Sequence, residues 1–315
     1  MIATRAAAGE SSAHQSALPT CLIVNPAAGR GGIRAKLPSV LEAFRGHDIV
    51  NIAYTSAAGE EEDLARRAIG DGIRTIVAVG GDGTCGRIAD AIVQSKSGCR
   101  LAVVPIGTGN DFAKTLGVNG YAPGQIAELV TRGAATRIDV GWAGGHYFLN
   151  SCGFGFDASV LEASNRIRFL KGNAVYIYAA LRQLFFYRGI EVRASGVSGV
   201  KRGPMLMITV SNGQYLGGAF KIAPHASVVD GKLDACFFSD SNVVQRLRLF
   251  LGAMRGTHLE MPSVTSASVQ QLTLNFAVRP AMEMDGELRF ARSKTLELRC
   301  LPRALAVIAA PGVFS

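Results

Sequence analysis

Residues 75–84 read Thr-Ile-Val-Ala-Val-Gly-Gly-Asp-Gly-Thr, an apolar run typical of a buried strand followed at once by a glycine-rich turn. Helical periodicity comes next, with apolar residues at Ile88, Ala91 and Ile92. A glycine turn between a strand and a helix N-terminus is a place to bind phosphate, because glycines let the backbone approach a ligand closely. Asp82 is carried into the same space, and a carboxylate beside a phosphate indicates a bound cation or a proton transfer.

The first 140 residues alternate short apolar runs with helical patterns. The strand-like runs are 21–24, 49–54, 76–79 and 101–104. Strand and helix in alternation at this spacing predict an α/β domain with a doubly wound parallel sheet. Ligands of such sheets bind at the carboxyl ends of the strands.

After Asp139 the sequence changes to alternating apolar and polar segments separated by turn signals. The segments are 205–210, 233–238, 272–276 and 296–300. They predict a second, mostly antiparallel β-rich domain. Two helical patterns, 174–187 and 243–254, interrupt it, and the second places Val243, Val244, Leu247 and Leu251 on one helix face.

The predicted organisation therefore has four parts. Residues 1–19 are expected to form a disordered tail rather than a signal peptide, since they lack a continuous apolar core. Residues 20–139 form the α/β domain and residues 140–300 the β-rich domain. Residues 301–315 form a C-terminal segment that can return to the first domain.

Composition narrows the class of partner. The chain has 315 residues and a formal net charge of +9, which suits an anionic nucleotide, nucleic acid or acidic membrane surface. No block of five Lys or Arg residues and no nucleic-acid-binding signature occurs, so we expect no nucleic-acid partner. The six cysteines lack C-x-x-C spacing, which predicts a reducing, cytoplasmic setting without structural zinc. No run of eighteen uncharged apolar residues occurs, so we expect no membrane span.

Polar residues also follow the other predicted strands. Asn25-Pro26 opens a glycine-containing loop after the first strand, and Thr55 follows the second. Ordinary turns explain these two positions as well as ligand binding does. The fourth strand ends in the segment 105–113, which contains Thr108, Asn110 and Asp111. None of these loops fits the P-loop or Rossmann pattern, so the predicted phosphate site is of another kind.

Taken in order, these motifs resemble the diacylglycerol kinase catalytic-domain family, which includes bacterial lipid kinases and is similar to sphingosine and ceramide kinases. The resemblance covers about residues 20–300. It rests on Asn25-Pro26 with its loop, and on the segments 80–84, 105–113, 148–158, 211–234 and 284–287. It implies a fold of the NAD kinase and diacylglycerol kinase type.

The resemblance also implies an activity. The chain would be an ATP- and Mg-dependent lipid kinase that transfers the γ-phosphoryl group to a lipid hydroxyl, with diacylglycerol converted to phosphatidic acid as the first choice. A kinase of sphingoid or ceramide-type lipids, and a soluble small-molecule kinase resembling NAD kinase, are the alternatives. A non-catalytic nucleotide- or lipid-sensing module is a further one. The lipid substrate implies a protein that is cytoplasmic and peripherally associated with the membrane, and a homodimer stays open.

Residue roles follow from the same resemblance. Glu287 matches the family's proton acceptor, Asp285 lies beside it, and Asp82 is an alternative base. Asp82 and Asp111 also suit Mg²⁺, which prefers oxygen ligands. For a second, structural magnesium, Asp230 matches the side-chain ligand and the turn around Ser227 and Lys232 supplies backbone carbonyls; an ordinary β-turn is the alternative. The nucleotide-binding positions are Asn25, Thr55, Gly80, Gly81, Asp82, Gly83, Thr84, Thr108, Asn110 and Asp111.

Two features stand apart from the family pattern. Many relatives continue the aspartate loop with an Asn-Glu pair, whereas this chain has Arg87 where an acid is expected. The segment 165–189 mixes basic and aromatic residues, which predicts either a surface that docks on a membrane or a helix that packs its aromatic residues in the core.

Overall fold

A computed structural model of the chain describes residues 18–57, 59–167, 173–197 and 201–314. Nearly all of the predicted tail and part of the basic aromatic segment therefore lie outside the described residues. The α-helices within these ranges are α1 Ile33–Arg45, α2 Glu60–Gly70, α3 Asp82–Ser95, α4 Asp111–Thr115, α5 Pro123–Arg132, α6 Phe156–Arg166, α7 Asn173–Phe186 and α8 Val243–Arg255. Two short 3-10 helices, Ala28–Gly31 and His258–Glu260, accompany them.

The described β-strands form one continuous sheet. They are β1 Thr20–Val24, β2 Ile52–Tyr54, β3 Thr75–Gly80, β4 Arg100–Pro105, β5 Ala135–Ala143, β6 His146–Phe148, β7 Ser151–Gly155, β8 Ile190–Ser195, β9 Lys201–Ser211, β10 Leu233–Ser239, β11 Val264–Val269, β12 Gln271–Phe276, β13 Ala281–Met284, β14 Glu287–Phe290 and β15 Thr295–Ile308.

The N-terminal part of this sheet is parallel, in the order β4-β3-β1-β2. Successive side chains of a strand point to opposite faces, and both faces are covered here. Leu22 and Val77 pack with α1 and α5, whereas Ile23 and Ile76 pack with α2 and α3. Helices on both faces of a parallel sheet confirm the predicted doubly wound fold. The second strand is shorter than predicted, since it begins at Ile52.

The C-terminal part is antiparallel, as predicted. Strand β9 pairs with β7, β8 and β10, and β12 pairs with β8 and β15. Helices α6, α7 and α8 cover one side of this region and share an apolar cluster with β9 and β10. The predicted runs 205–210 and 233–238 lie within β9 and β10.

Strand β15 connects the two regions. Its first five residues pair with β12, and Ala306 and Val307 pair parallel with β4. It also pairs antiparallel with β5 from Leu298 to Ile308, around a bulge. Leu305 and Val307 are fully buried in the core of the parallel region. The predicted run 296–300 is therefore only the beginning of a strand that leads the chain back to the parallel region of the sheet.

Helix α8 exposes the face that its sequence makes most apolar. Val244 and Leu247 are 62% and 44% exposed, whereas Leu249 and Phe250 on the opposite side are buried. Arg246 is also buried and donates hydrogen bonds to the backbone oxygens of Leu184 and Tyr187 at the end of α7. The buried side therefore includes a paired arginine, and the apolar stripe is left at the surface.

The six cysteines are all buried and none forms a disulfide. Burial raises the pKa of the Cys85 and Cys152 thiols well above the usual value. Among the described helices, none has the length and apolar content that crossing a membrane requires.

Candidate active site

Two glycine loops meet at the carboxyl ends of β3 and β4. A Cβ atom on Gly107 would lie 2.5 Å from the Cα atom of Gly81, so the two backbones touch and position 107 has no room for a side chain. Asp82 begins α3 directly after this contact, and its Oδ1 atom accepts a hydrogen bond of 2.9 Å from the backbone N–H of Phe112. The contact fixes Asp82 beside the start of α4.

Asp111 faces the same space from the second loop. A Cβ atom on Gly109 would lie 3.1 Å from Asp82 Oδ2 and 3.5 Å from Asp111 Oδ2, so the two carboxylates border one site. Burial, together with the negative charge of Asp111, raises the pKa of Asp82 to about 7. Two neighbouring carboxylates are a donor set that fits Mg²⁺, and a cation between them would relieve their repulsion.

Asp111 also links the two parts of the chain. Its Oδ1 atom accepts a hydrogen bond of 2.8 Å from Lys114 Nζ, and its Oδ2 atom accepts one of 2.9 Å from the Gly218 backbone. Lys114 Nζ also donates to the Gly218 carbonyl and lies 5.3 Å from the ring centre of Tyr215. Lys114 and Tyr215 were not predicted from the sequence, although Lys114 lies one helical turn after Asp111 on the same face.

The predicted nucleotide-binding residues at the other strand ends form a second polar cluster. Asn25 Nδ2 donates to Glu61 Oε1 at 2.9 Å and to Thr84 Oγ1 at 3.2 Å. The backbone N–H of Thr55 donates to the Val24 carbonyl, which brings Thr55 beside this cluster. Glu61 is buried. The sequence shows it only as one of four acids that open α2, so its role was not evident.

Three predicted residues of the glycine turns have close contacts or an unusual backbone angle. A Cβ atom on Gly80 would lie 2.6 Å from Thr84 Oγ1, and one on Gly83 would lie 3.1 Å from Glu287 Oε1. Asn110 has a φ of 52°, in the left-handed region, and its Oδ1 atom is buried without a hydrogen-bond partner among the described residues.

Asp285 ties the β13–β14 hairpin to the strand that opens the second region. Its carboxylate accepts backbone hydrogen bonds from Leu149 at 2.6 Å, Asn150 at 2.8 Å and Ser151 at 3.2 Å. Burial raises its pKa to about 6, although these three donors oppose the shift. Its oxygens are thus engaged in holding the backbone.

Glu287 lies between two guanidinium groups. Arg87 Nε donates to Glu287 Oε1 at 2.7 Å, and Arg289 donates to Glu287 Oε2 at 3.2 Å. Arg87 and Glu287 are 200 residues apart in the chain, so the sequence could not show that the unusual arginine pairs with the predicted base. Glu287 lines a small cavity with Arg87 and Arg289, next to the main cleft.

The main cleft has a volume of 260 Å³ and lies between the parallel and antiparallel regions. Asp82, the exposed Thr108, Asp111 and Asp285 line it, whereas Glu287 does not. The cleft therefore brings together Asp82, Asp111 and Asp285, whereas the predicted base Glu287 lies beside it.

Two further buried acids, Glu283 and Asp157, were not predicted as site residues. Glu283 lines the cleft, and its Oε2 atom has no hydrogen-bond partner among the described residues. The same is true of Asp157 Oδ2 within the described part of the chain. Burial raises the pKa of Asp157 to about 7 and that of Glu283 well above its usual value. The sequence feature that could have indicated Glu283 is an acid flanked by two methionines in an apolar strand.

In the turn that was predicted to bind a structural magnesium, backbone N–H groups donate hydrogen bonds to the side-chain oxygens. Lys232 N–H donates to Asp230 Oδ1 at 3.0 Å, and the Ser227 hydroxyl accepts from Val229 N–H at 3.4 Å. The buried Asp139 accepts from the Gly231 backbone at 2.6 Å. In the described parts of the chain, no group of three His, Cys, Asp or Glu side chains is arranged to hold a metal. The turn geometry is that of an Asx turn, with one exposed carboxylate.

Comparison with known proteins matches both regions. Residues 19–143 match the family described as "Diacylglycerol kinase catalytic domain", and residues 150–309 match "YegS C-terminal NAD kinase beta sandwich-like domain".

Individual relatives span most of the chain. The protein named "Diacylglycerol kinase" of Bacillus subtilis is 28% identical over 269 residues, which cover 84% of this chain and 88% of the relative. "Probable lipid kinase YegS-like" of Pseudomonas putida is 32% identical and covers 84% of this chain and 89% of its own. The crystal structure of a diacylglycerol kinase from Bacillus anthracis has a TM-score of 0.72 at 21% identity, covers 95% of this chain and 99% of its own, and shows that the fold is shared.

Proposed function

Because the chain belongs to the diacylglycerol kinase family of lipid kinases, we propose that it transfers the γ-phosphoryl group of ATP to the hydroxyl group of diacylglycerol, with Mg²⁺ bound. The observation that carries this proposal is the pair Asp82 and Asp111, which face one site in the cleft between the two regions. Phosphoryl transfer requires that the reacting groups are held in position and that positive charge offsets the charge of the phosphates. It also requires a carboxylate that accepts the hydroxyl proton.

The nucleotide would bind at the two glycine loops. Asp82, Thr108 and Gly109 of these loops line the cleft, and the N-terminus of α3 favours negative charge there. When bound, Mg²⁺ supplies positive charge that offsets the charge of the phosphates. Asp111 would hold it, with Asp82 at its side.

Asp82 is the proton acceptor that the geometry supports best. It lines the cleft, and its Oδ2 atom borders the same space as the Oδ2 atom of Asp111. Glu287 does not line the cleft, and Arg87 and Arg289 hold its two oxygens. We therefore assign Glu287 a positioning role.

The lipid substrate and the net charge of +9 also support a cytoplasmic enzyme that binds the membrane peripherally. The structural magnesium at Asp230 stays part of the proposal, with one carboxylate and the turn carbonyls of Ser227 and Lys232 as its donors. Binding of Mg²⁺ to an Asp230→Ala variant would test that assignment.

The direct test supplies the purified protein with γ-labelled ATP, Mg²⁺ and one acceptor at a time. Diacylglycerol in detergent micelles should become labelled phosphatidic acid, and this labelling should stop when Mg²⁺ is chelated. Label that enters only ceramide or sphingosine would move the proposal to a sphingoid lipid kinase. Label that enters only NAD would end the lipid proposal.

A further inference from the structure

Helices α7 and α8 present an exposed apolar surface that the catalytic cleft does not use. Phe185 and Phe186 of α7 are 62% and 78% exposed, and Val244, Leu247 and Leu251 of α8 are between 44% and 62% exposed. We call these five residues the α7–α8 face. Large side chains of this kind in one surface region mark an interaction site more often than a plain surface.

The two helices direct these side chains to the same side of the sheet. Ala180 and Leu184 of α7 and Leu249 and Phe250 of α8 are buried in one apolar cluster. Arg246 joins the helices directly through its hydrogen bonds to the end of α7. The exposed Phe185 and Phe186 therefore lie at the end of α7 that contacts the N-terminal half of α8, where Val244 and Leu247 are exposed.

The charge around this surface is positive. Arg182 on α7, Arg188 just after it, and Arg248 and Arg255 on α8 are exposed. None of these four arginines forms an ion pair with a described residue, and neither helix contains an acidic residue. An apolar stripe flanked by arginines matches the interface of an anionic bilayer, where apolar side chains enter the acyl boundary and guanidinium groups meet the phosphates.

The surface also lies next to the reaction site. An apolar cavity beneath the helices is lined by Leu184 of α7 and by Leu249 and Phe250 of α8. Leu216 lines both this cavity and the active-site cleft. A lipid that leaves the bilayer between α7 and α8 would therefore meet apolar side chains on its way to Asp82.

We propose that the α7–α8 face is the surface by which this protein docks on an anionic lipid bilayer. This proposal rests on the proposed lipid kinase function and specifies the orientation in which the enzyme meets its substrate. Of the two expectations for the segment 165–189, the described residues support docking for Phe185 and Phe186, which are exposed, and core packing for Tyr187, whose ring packs against Phe156.

The test compares two variants with opposite expected results. The double variant Val244→Glu, Leu247→Glu places two negative charges on the face, and its exposed positions should leave the fold intact. Val50→Glu is the control for an added surface charge away from this face, because Val50 is 70% exposed between α1 and β2. Co-sedimentation with vesicles of phosphatidylcholine and phosphatidylglycerol should fall at least about tenfold for the double variant and stay unchanged for the control.

Two activity measurements separate this proposal from the proposed function. Turnover of diacylglycerol presented in these vesicles should fall with vesicle binding, whereas turnover of a short-chain diacylglycerol in detergent should not change. A wild-type protein that binds the vesicles through this face but phosphorylates neither substrate would contradict the proposed function alone. Unchanged vesicle binding by the double variant, or no vesicle binding by the wild type, would overturn the docking surface. So would a dimer that the double variant converts to a monomer while vesicle binding persists.

Discussion

Arg87 and Glu287 show how one residue changes the chemistry of its neighbour. The arginine stands where the family resemblance leads us to expect an acid, and it donates directly to the carboxylate that the same resemblance suggested as the base. Arg87 holds one oxygen of that carboxylate and Arg289 holds the other, whereas Asp82 lines the cleft. The pair also joins α3 to β14, so it positions the antiparallel region against the aspartate loop.

Asp82→Asn and Glu287→Gln should therefore differ in their kinetic effect. The first removes the proposed proton acceptor and should lower kcat by about 10²- to 10⁴-fold with ATP binding retained. The second weakens positioning and should cost roughly tenfold. Arg87→Met breaks the same bond and should cost about as much as Glu287→Gln. Steady-state kinetics with diacylglycerol in micelles measures all three. A loss of the same size for Asp82→Asn and Glu287→Gln would make Glu287 the base.

Asp157 supplies a test of stability against pH. Burial raises its pKa from its usual value to about 7, so between these values the folded chain keeps a proton that the unfolded chain has lost. The free energy of unfolding should then fall as pH rises from roughly 4 to 7, by up to about 4 kcal/mol from this group. Asp157→Asn cannot ionise, so its stability relative to the wild type should improve across that range.

Urea unfolding at several pH values measures this difference. The exposed Glu128 on α5 provides the control, because Glu128→Gln changes a carboxylate at the surface and should not alter the pH dependence. If wild type and Asp157→Asn lose stability in parallel as pH rises, the buried carboxyl does not titrate in this range.

At the level of elements, the site depends on how closely two strand-to-helix turns approach each other. Strands β3 and β4 are neighbours in the parallel sheet, so their carboxyl ends bring Gly81 against Gly107. Each turn then aims one carboxylate, Asp82 or Asp111, into the same space. Local sequence specifies each turn, and the sheet register specifies their distance.

Gly107→Ala should separate these turns. The added methyl group meets the Gly81 backbone at 2.5 Å and cannot rotate away, so the loops must shift. We expect a loss of about 1–3 kcal/mol in the free energy of unfolding and a marked fall in kcat. Gly124→Ala is the control, because nothing lies within 4 Å of the Cβ it adds. Full activity of Gly107→Ala would show that the contact is not needed for the site.

For the whole molecule, β15 is the strand that joins the parallel and antiparallel regions of the sheet. It begins beside β12 in the antiparallel region and ends beside β4 in the parallel one. Leu305 and Val307 fill the core between the parallel sheet and its helices. The parallel and antiparallel regions that border the cleft therefore share a strand. This shared strand keeps the two glycine loops in position against the β13–β14 hairpin.

Leu305→Ala should weaken the parallel region although the residue lies near the C-terminus. Leu305 is fully buried, and a cavity at such a site costs about 2–4 kcal/mol. Urea unfolding should show this loss, and hydrogen exchange should show reduced protection in β4. Val278→Ala removes a side chain that is 70% exposed and should have little effect. Unchanged protection of β4 in Leu305→Ala would mean that β15 does not stabilise this sheet.

The sequence by itself determined the fold class and most of the strand-to-helix turns, because hydrophobic periodicity and glycine turns are local properties of the chain. It also brought Asp82 and Asp111 into the candidate site, since parallel strands end at the same edge of a sheet.

Only the tertiary structure decided which groups meet and which faces are covered. Arg87 pairs with Glu287 across 200 residues, Asp285 holds the backbone before β7, and Leu247 lies at the surface of α8. Periodicity identifies the apolar face of a helix, but packing against the rest of the molecule decides whether that face is buried or left for a partner.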